Sequence, residues 1–428
     1  MNISKDSGEI IKLILPKFKE CMAYKDKINN KKFINSLNKL LLVLYNDILK
    51  AEKFVSNKIQ KGCVKGILKE RTNFKKPDIY SSKFFQPDIK EYVEKKGLYQ
   101  LVYNCFINKR EISIIFTLFS RDDLLNLKKY DEYVRVIYIW LYICEMYSQK
   151  SCANTLNIYI YLTPFKKILP NKKNTTIGIN HVNTAFTLAC AENGEIVLFR
   201  EEEWMKVFIH ETFHSYGLDF GSYSSLSIKS YVKTIFPIDS EFNIEEAYSE
   251  TWARIINSAF VSYNSLKNKY DKKEFLIYMN FSLQVERLFS LYQCNKILQF
   301  MGLSYQDMYS KDDESVHLRE KLYREETNVF SYYVLTCIFM SDYYNFMKWC
   351  EINNINLIRF NSTERNFIKF GDLINKLYNS ENMKEGLICI SNSINNKVNS
   401  KTNKRNEYIK KNHNFILNTM RMSSIELL

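Results

Sequence analysis

Residues 193–217 read NGEIVLFREEEWMKVFIHETFHSYG, and this stretch decides how the chain is understood. Asn193-Gly194 is a strong hairpin turn signal, so it predicts a hairpin between strands at Val182 to Cys190 and Ile196 to Arg200. Glu201, Glu202 and Glu203 suit the positive end of a helix, which then runs from about Glu201 to Tyr216 and stops at Gly217. Within that helix His210-Glu211-Thr212-Phe213-His214 is an H-E-x-x-H motif. Two His four apart lie one turn apart on one face, so both imidazoles can bind one Zn²⁺, and Glu211 between them can reach a water there as general base. The chain has only 5 His in 428 residues, which makes a chance match rare. The competing possibility is that both His are core residues, since Trp204, Val207, Phe208, Ile209 and Phe213 surround them.

Working downstream, a catalytic zinc needs a third protein ligand and an open position. Asp219 follows the motif closely but also fits a plain turn or cap. The better candidate is Glu246, with Glu250 one turn later on the next long helix, about Asn243 to Tyr263. Ala247, Tyr248, Trp252, Ala253, Ile255 and Ile256 make that helix apolar over much of its circumference. At least one of the two carboxylates therefore points inward, where it needs a cation or a donor. Upstream, Leu156 to Leu162 alternates as a strand should, and Asn183 to Leu188 is a short half-polar strand suited to a sheet edge.

A strand hairpin feeding an H-E-x-x-H helix resembles the zincin metallopeptidases. Metzincins extend the motif to a third His; here Gly217 matches their glycine, but Phe220 stands where that His would be and cannot ligate. Glu245-Glu246-Ala247-Tyr248-Ser249-Glu250 instead resembles the gluzincin pattern N-E-x-x-S-D, with Glu245 and Glu250 in place of the Asn and Asp. The resemblance implies Zn²⁺ held by His210, His214 and Glu246, with Glu250 orienting a ligating His through its outer ring nitrogen. It also implies a peptide or protein substrate laid against the edge strand 183–188. A Tyr or His would stabilise the oxyanion, with Tyr223, Tyr231, Tyr332, Tyr333, His181 and His317 as candidates. The run Glu202 to Glu211 and the composition also resemble uncharacterised zincin-like proteins of large cytoplasmic DNA viruses, which implies a virion or infected-cell cytoplasm.

The rest of the chain sets the frame. With 46% hydrophobic residues, 11 Gly and 6 Pro, it reads as a folded, predominantly α, α+β protein. Residues 1–150 are expected to form an α-helical N-terminal domain, 151–395 the zincin-like catalytic domain, and 396–428 a basic C-terminal tail. The net charge of +14 raises nucleic acid or an anionic surface as a partner. Lys outnumbers Arg 48 to 13, however, and the Arg are scattered, which argues against nucleic acid. Ten Cys without a CxxC pair argue against a disulfide framework. That spacing and an N-terminus without a signal-like core point to a reducing, intracellular setting. No apolar run reaches the ~20 residues of a membrane span. The expected function is a zinc-dependent metallopeptidase. The alternatives are a catalytically inactive zincin fold serving as an interaction module, a basic scaffold for nucleic acid or membrane, or a zinc hydrolase of non-peptide amides.

Overall fold

A computed structural model describes residues 3–18, 31–61, 64–173, 175–223, 225–398 and 414–426. It is an α+β fold, mostly helical, with one mixed sheet. The strands are β1 (Gly66–Glu70), β2 (Tyr99–Ile107), β3 (Arg110–Leu118), β4 (Thr155–Ile160), β5 (Ala185–Thr187) and β6 (Asn193–Leu198), in the order β1-β2-β3-β4-β6-β5. β3, β4 and β6 run parallel, with Ile114, Ile158 and Ile196 aligned, and the other pairs are antiparallel. β5 is therefore an edge strand.

The longer helices are α1 (Lys5–Phe18), α2 (Lys31–Gln60), α3 (Pro87–Lys96), α4 (Leu127–Tyr147), α5 (Trp204–Ser215), α6 (Leu226–Ile235), α7 (Ile244–Asn264), α8 (Lys272–Met301), α9 (Asp313–Leu322), α10 (Tyr343–Asn353), α11 (Glu364–Leu377) and α12 (Glu381–Val398). A π-helical turn, Phe330–Leu335, runs into a short helix, Thr336–Ser341. Side chains alternate across the sheet with a period of two. Ile114, Ile158 and Ile196 belong to the large core, which they share with α4, α5, α7 and α8. Ile115, Tyr159 and Val197 face the other way, onto Phe85 and the α3 residues Ile89 and Val93. α8 begins under the Asp271 carboxylate, which accepts from the backbone N–H of Lys273 and Glu274 at 3.0 and 2.9 Å, and ends at Gly302 with φ of +82°.

Several sequence expectations need correction. Residues 1–150 do not form a helical domain: β1, β2 and β3 come from this region, and β3 pairs directly with β4. Asn193-Gly194 is not the hairpin turn. It opens β6 opposite Thr155 and Leu156, where a Cβ on Gly194 would come within 3.0 Å of Leu156 Cδ1. The chain turns earlier, with Cys190 at φ +49°, and the strand expected over 182–190 is confined to 185–187. Cys190 also forms a disulfide with Cys152, because the turn lies against the residues leading into β4. Cys389 is disulfide-bonded as well, while Cys105, Cys144, Cys294, Cys337 and Cys350 are free thiols.

The expected tail divides at the described residues. Of 396–428, residues 399–413 and 427–428 lie outside them, while 414–426 enters the core and buries Met420, Met422 and Ile425. Its polar backbone has exact partners there: Met420 N–H donates to Lys167 O at 2.9 Å, and Tyr333 Oη donates to Met420 O at 2.6 Å. Buried backbone must be paired, and this pairing is what lets a polar segment lie inside. No helix among the described residues is long and apolar enough to cross a membrane.

Candidate metal centre

α5 carries the H-E-x-x-H motif between the sheet and α7, and is buried along nearly its whole length. It starts at Trp204, three residues later than the acidic run suggested. Glu203 takes the position before it with φ +59°, a left-handed conformation that is uncommon outside Gly, Asn and Asp. The helix is fastened from α4 by Trp140 Nε1, which donates to Thr212 Oγ1 at 2.6 Å inside the motif. At its other end Gly217, with φ +60°, turns the chain where a Cβ would meet Cys152 Sγ at 2.9 Å. The His214 carbonyl accepts from the Cys190 and Gly217 N–H at 2.9 and 3.2 Å.

The side chains of His210, His214 and Glu246 converge. His210 Nε2 lies 3.1 Å from His214 Nε2 and 3.0 Å from Glu246 Oε2, and His214 Nε2 lies 3.4 Å from the same oxygen. For bonds of about 2.0–2.1 Å, the edge of a zinc tetrahedron is about 3.3 Å. The three atoms therefore have the spacing of three ligands around one ion. The opposite ring nitrogens face carboxylates. His214 Nδ1 donates to Asp219 Oδ2 in a short hydrogen bond, and His210 Nδ1 lies 3.3 Å from Glu250 Oε2. A neutral imidazole that donates from Nδ1 presents a lone pair at Nε2. Two lone pairs and a carboxylate oxygen packed at these distances, nearly out of water, repel one another unless a metal cation or ring protons lie between them. The donor set is His₂Glu, with the His214 outer nitrogen bonded to Asp219 and the His210 outer nitrogen 3.3 Å from Glu250, and it is one that could hold a metal ion.

The surrounding charges favour the ionised forms of Glu250 and Glu246. Glu250 is 1% exposed and accepts from Lys206 Nζ at 2.9 and 3.0 Å and from Arg254 Nε at 3.0 Å. Burial alone would raise its pKa, but Lys206, the His210 contact and Arg254 hold it well below the ordinary carboxylate value. Glu246 behaves likewise: burial opposes its charge, and His214 and His210 pull its pKa down. Both imidazoles are shifted upward. Burial opposes their protonation, but Glu246 and Glu250 prevail at His210, and Asp219 and Glu246 at His214. Glu211 differs from these. Burial raises its pKa against the pull of His210 and His214, and it lines the adjacent cleft. A carboxyl with a raised pKa beside the ligand atoms is suited to taking up and returning a proton.

The sequence candidates now separate. Asp219, weighed as a ligand, is the outer partner of His214 and also accepts from Ser249 Oγ at 3.0 Å and the Gly221 N–H at 3.2 Å. Tyr332 reaches the centre from the π-helical turn: its hydroxyl donates to Glu246 Oε2 at 2.9 Å, and its ring centroid is 5.9 Å from that of His210. The other candidates point elsewhere. Tyr231 donates to Asp372, Tyr333 to Met420 O, and Tyr223 accepts from Gln149; His181 caps Gly178, and His317 is exposed on α9. Glu245 is not among the converging ligand atoms; its Cγ packs near Gly221, and its pKa is pushed up to about 7, chiefly by burial. Lys206, Arg254 and Met422 were not among the sequence candidates. Lys206 lies four residues before His210 and Arg254 four after Glu250, so each shares a helix face with a residue of the centre, while Met422 has no such local link.

No family model, curated protein or solved structure matches the chain. The chemistry of this centre stands on its own geometry.

Proposed function

We propose that the protein is a zinc-dependent metallopeptidase of the gluzincin type. The reading rests on one observation, the convergence of His210 Nε2, His214 Nε2 and Glu246 Oε2 at 3.0–3.4 Å beside Glu211. His210, His214 and Glu246 would hold the ion, and Asp219 and Glu250 would fix the two imidazole rings. Bound zinc supplies Lewis-acid polarisation of a carbonyl and lowers the pKa of water. Glu211 takes the proton of the attacking water on its carboxylate and returns it to the leaving amine. Tyr332, whose hydroxyl donates to Glu246 Oε2 at 2.9 Å, would turn that proton from Glu246 to the developing oxyanion.

The edge strand supplies a place for an extended substrate. Thr184 O accepts from Phe199 N–H at 3.0 Å, so the backbone groups of Ala185, the next residue, point away from β6. Ala185 lines the same cleft as His210, Glu211 and Tyr332. A peptide can therefore add to the sheet there by backbone hydrogen bonding. The test is hydrolysis of a peptide pool by zinc-loaded wild type and Glu211→Gln. Wild type should cut, while the variant should retain zinc and lose at least ~100-fold in rate. Equal cutting by both would defeat the proposal.

A further inference from the structure

The C-terminal segment supplies a wall of the cleft. Met422, which is 4% exposed, lines it together with Val182, Ala185, Val207, Glu211 and Tyr332. The cleft is narrow, with about 30 Å³ of room for solvent, enough for a water or two. Met422 is not free to swing out of the way. Its N–H donates to Glu203 Oε1 at 3.0 Å, and its Sδ lies 3.8 Å from Lys206 Nζ. On either side, Met420 O is held by Tyr333 at 2.6 Å, and the N–H groups of Ser424 and Ile425 donate to Glu286 Oε1 at 2.8 and 2.9 Å. Glu203 directly precedes α5, so the wall and the motif helix are fixed to one another.

Resting on the peptidase reading above, we propose that Met422 sets substrate specificity by admitting only a small residue, Gly, Ala or Ser, at one of the two positions flanking the scissile bond. The reason is steric. Met422, Val182, Ala185 and Val207 form the apolar side of a recess whose other side carries Lys206, Glu211 and Glu250, and a peptide added along Ala185 would set a side chain against that apolar side. Removing the Met side chain beyond Cβ deepens the recess by three heavy atoms. A wall of this kind discriminates by methylene count, where each added or missing group changes relative rates by roughly 10- to 200-fold.

The experiment uses the full-length zinc-loaded protein and a pool of natural-sequence peptides, with the cut bonds identified by mass spectrometry. Wild type should cut where one flanking position is Gly, Ala or Ser. In Met422→Ala the ratio of kcat/KM for Leu over Ala at that position should rise at least ~10-fold. Met422→Leu, of similar volume, should keep the wild-type preference, which separates the size of the wall from damage to the fold; zinc content and circular dichroism should match in all three. Wild type cutting Leu and Ala bonds equally well would overturn the proposal, and so would an unchanged ratio in Met422→Ala. Those two results leave the peptidase reading intact. No cutting by zinc-loaded wild type, or equal cutting by Glu211→Gln, overturns that reading and this proposal with it.

Discussion

Asp219→Asn isolates the charge that orients His214. The Asp219 carboxylate is 2% exposed and has three donors: His214 Nδ1, Ser249 Oγ at 3.0 Å and Gly221 N–H at 3.2 Å. Asn keeps the shape but offers one oxygen in place of two. If that oxygen serves His214 and Ser249, the amide NH₂ meets the Gly221 N–H, donor against donor. The substitution thus removes the negative charge behind His214 and leaves one backbone N–H without its partner. Losing an outer carboxylate of this kind costs ~10- to 100-fold in metal affinity, or about 1.4–2.7 kcal/mol. The assay is competition for Zn²⁺ against a chromophoric chelator near neutral pH. Ser249→Ala serves as the control, because it removes only a neutral hydrogen bond from the same carboxylate and should weaken zinc by less than Asp219→Asn. Wild-type affinity in Asp219→Asn, or an equal loss in both variants, would refute the assignment of Asp219 as the residue that orients His214.

Three further outcomes follow from the packing around α5 and the C-terminal segment. Thr212→Val removes the acceptor of Trp140 Nε1, and the stranded N–H should cost about 1–3 kcal/mol in denaturant unfolding with zinc stoichiometry unchanged. Gly217→Ala forces a Cβ into a left-handed position, at a cost of about 1–2 kcal/mol, and against Cys152 Sγ at 2.9 Å; unfolding should be destabilised by at least that left-handed term. Lys296, which donates to Ile416 O at 3.2 Å and to Thr419 O, is pushed down to about 7 by burial. Its unfolded value is about 10.4, so above pH 7 the unfolded chain binds the extra proton and stability rises with pH. The stability of wild type relative to Lys296→Met should therefore grow between neutral pH and about pH 9, by up to about 1.4 kcal/mol per pH unit, and a flat difference would refute this.

What could be seen in the sequence was whatever depends on one helix at a time. His210, Glu211 and His214 share a face because of their spacing, and an apolar helix carrying Glu246 and Glu250 must bring a carboxylate inward, as α7 does. Asp219 was visible as a candidate, but its role depended on how the chain turns at Gly217. β2 and β3 were missed because Ile112 to Leu118 is buried on both faces, and a doubly buried strand shows no alternation to distinguish it from a buried helix. Met422 gave no local signal: it meets Lys206 across 216 residues, within a segment whose composition suggests a solvated tail. Backbone pairing to Lys167 and Tyr333, and to the carboxylates of Glu203 and Glu286, explains why such a polar segment packs inside. The wall of the cleft is thus the part of the centre most remote in sequence from the motif it serves.

The most direct test of the centre is the zinc content of the purified protein by elemental analysis, measured beside His214→Ala and Glu246→Ala. About one zinc per chain in wild type, lost in both variants while the fold is retained, is the expected result. Wild type that takes up no zinc after refilling, or a Glu246→Ala variant that keeps a full equivalent, would contradict a site built from His210, His214 and Glu246.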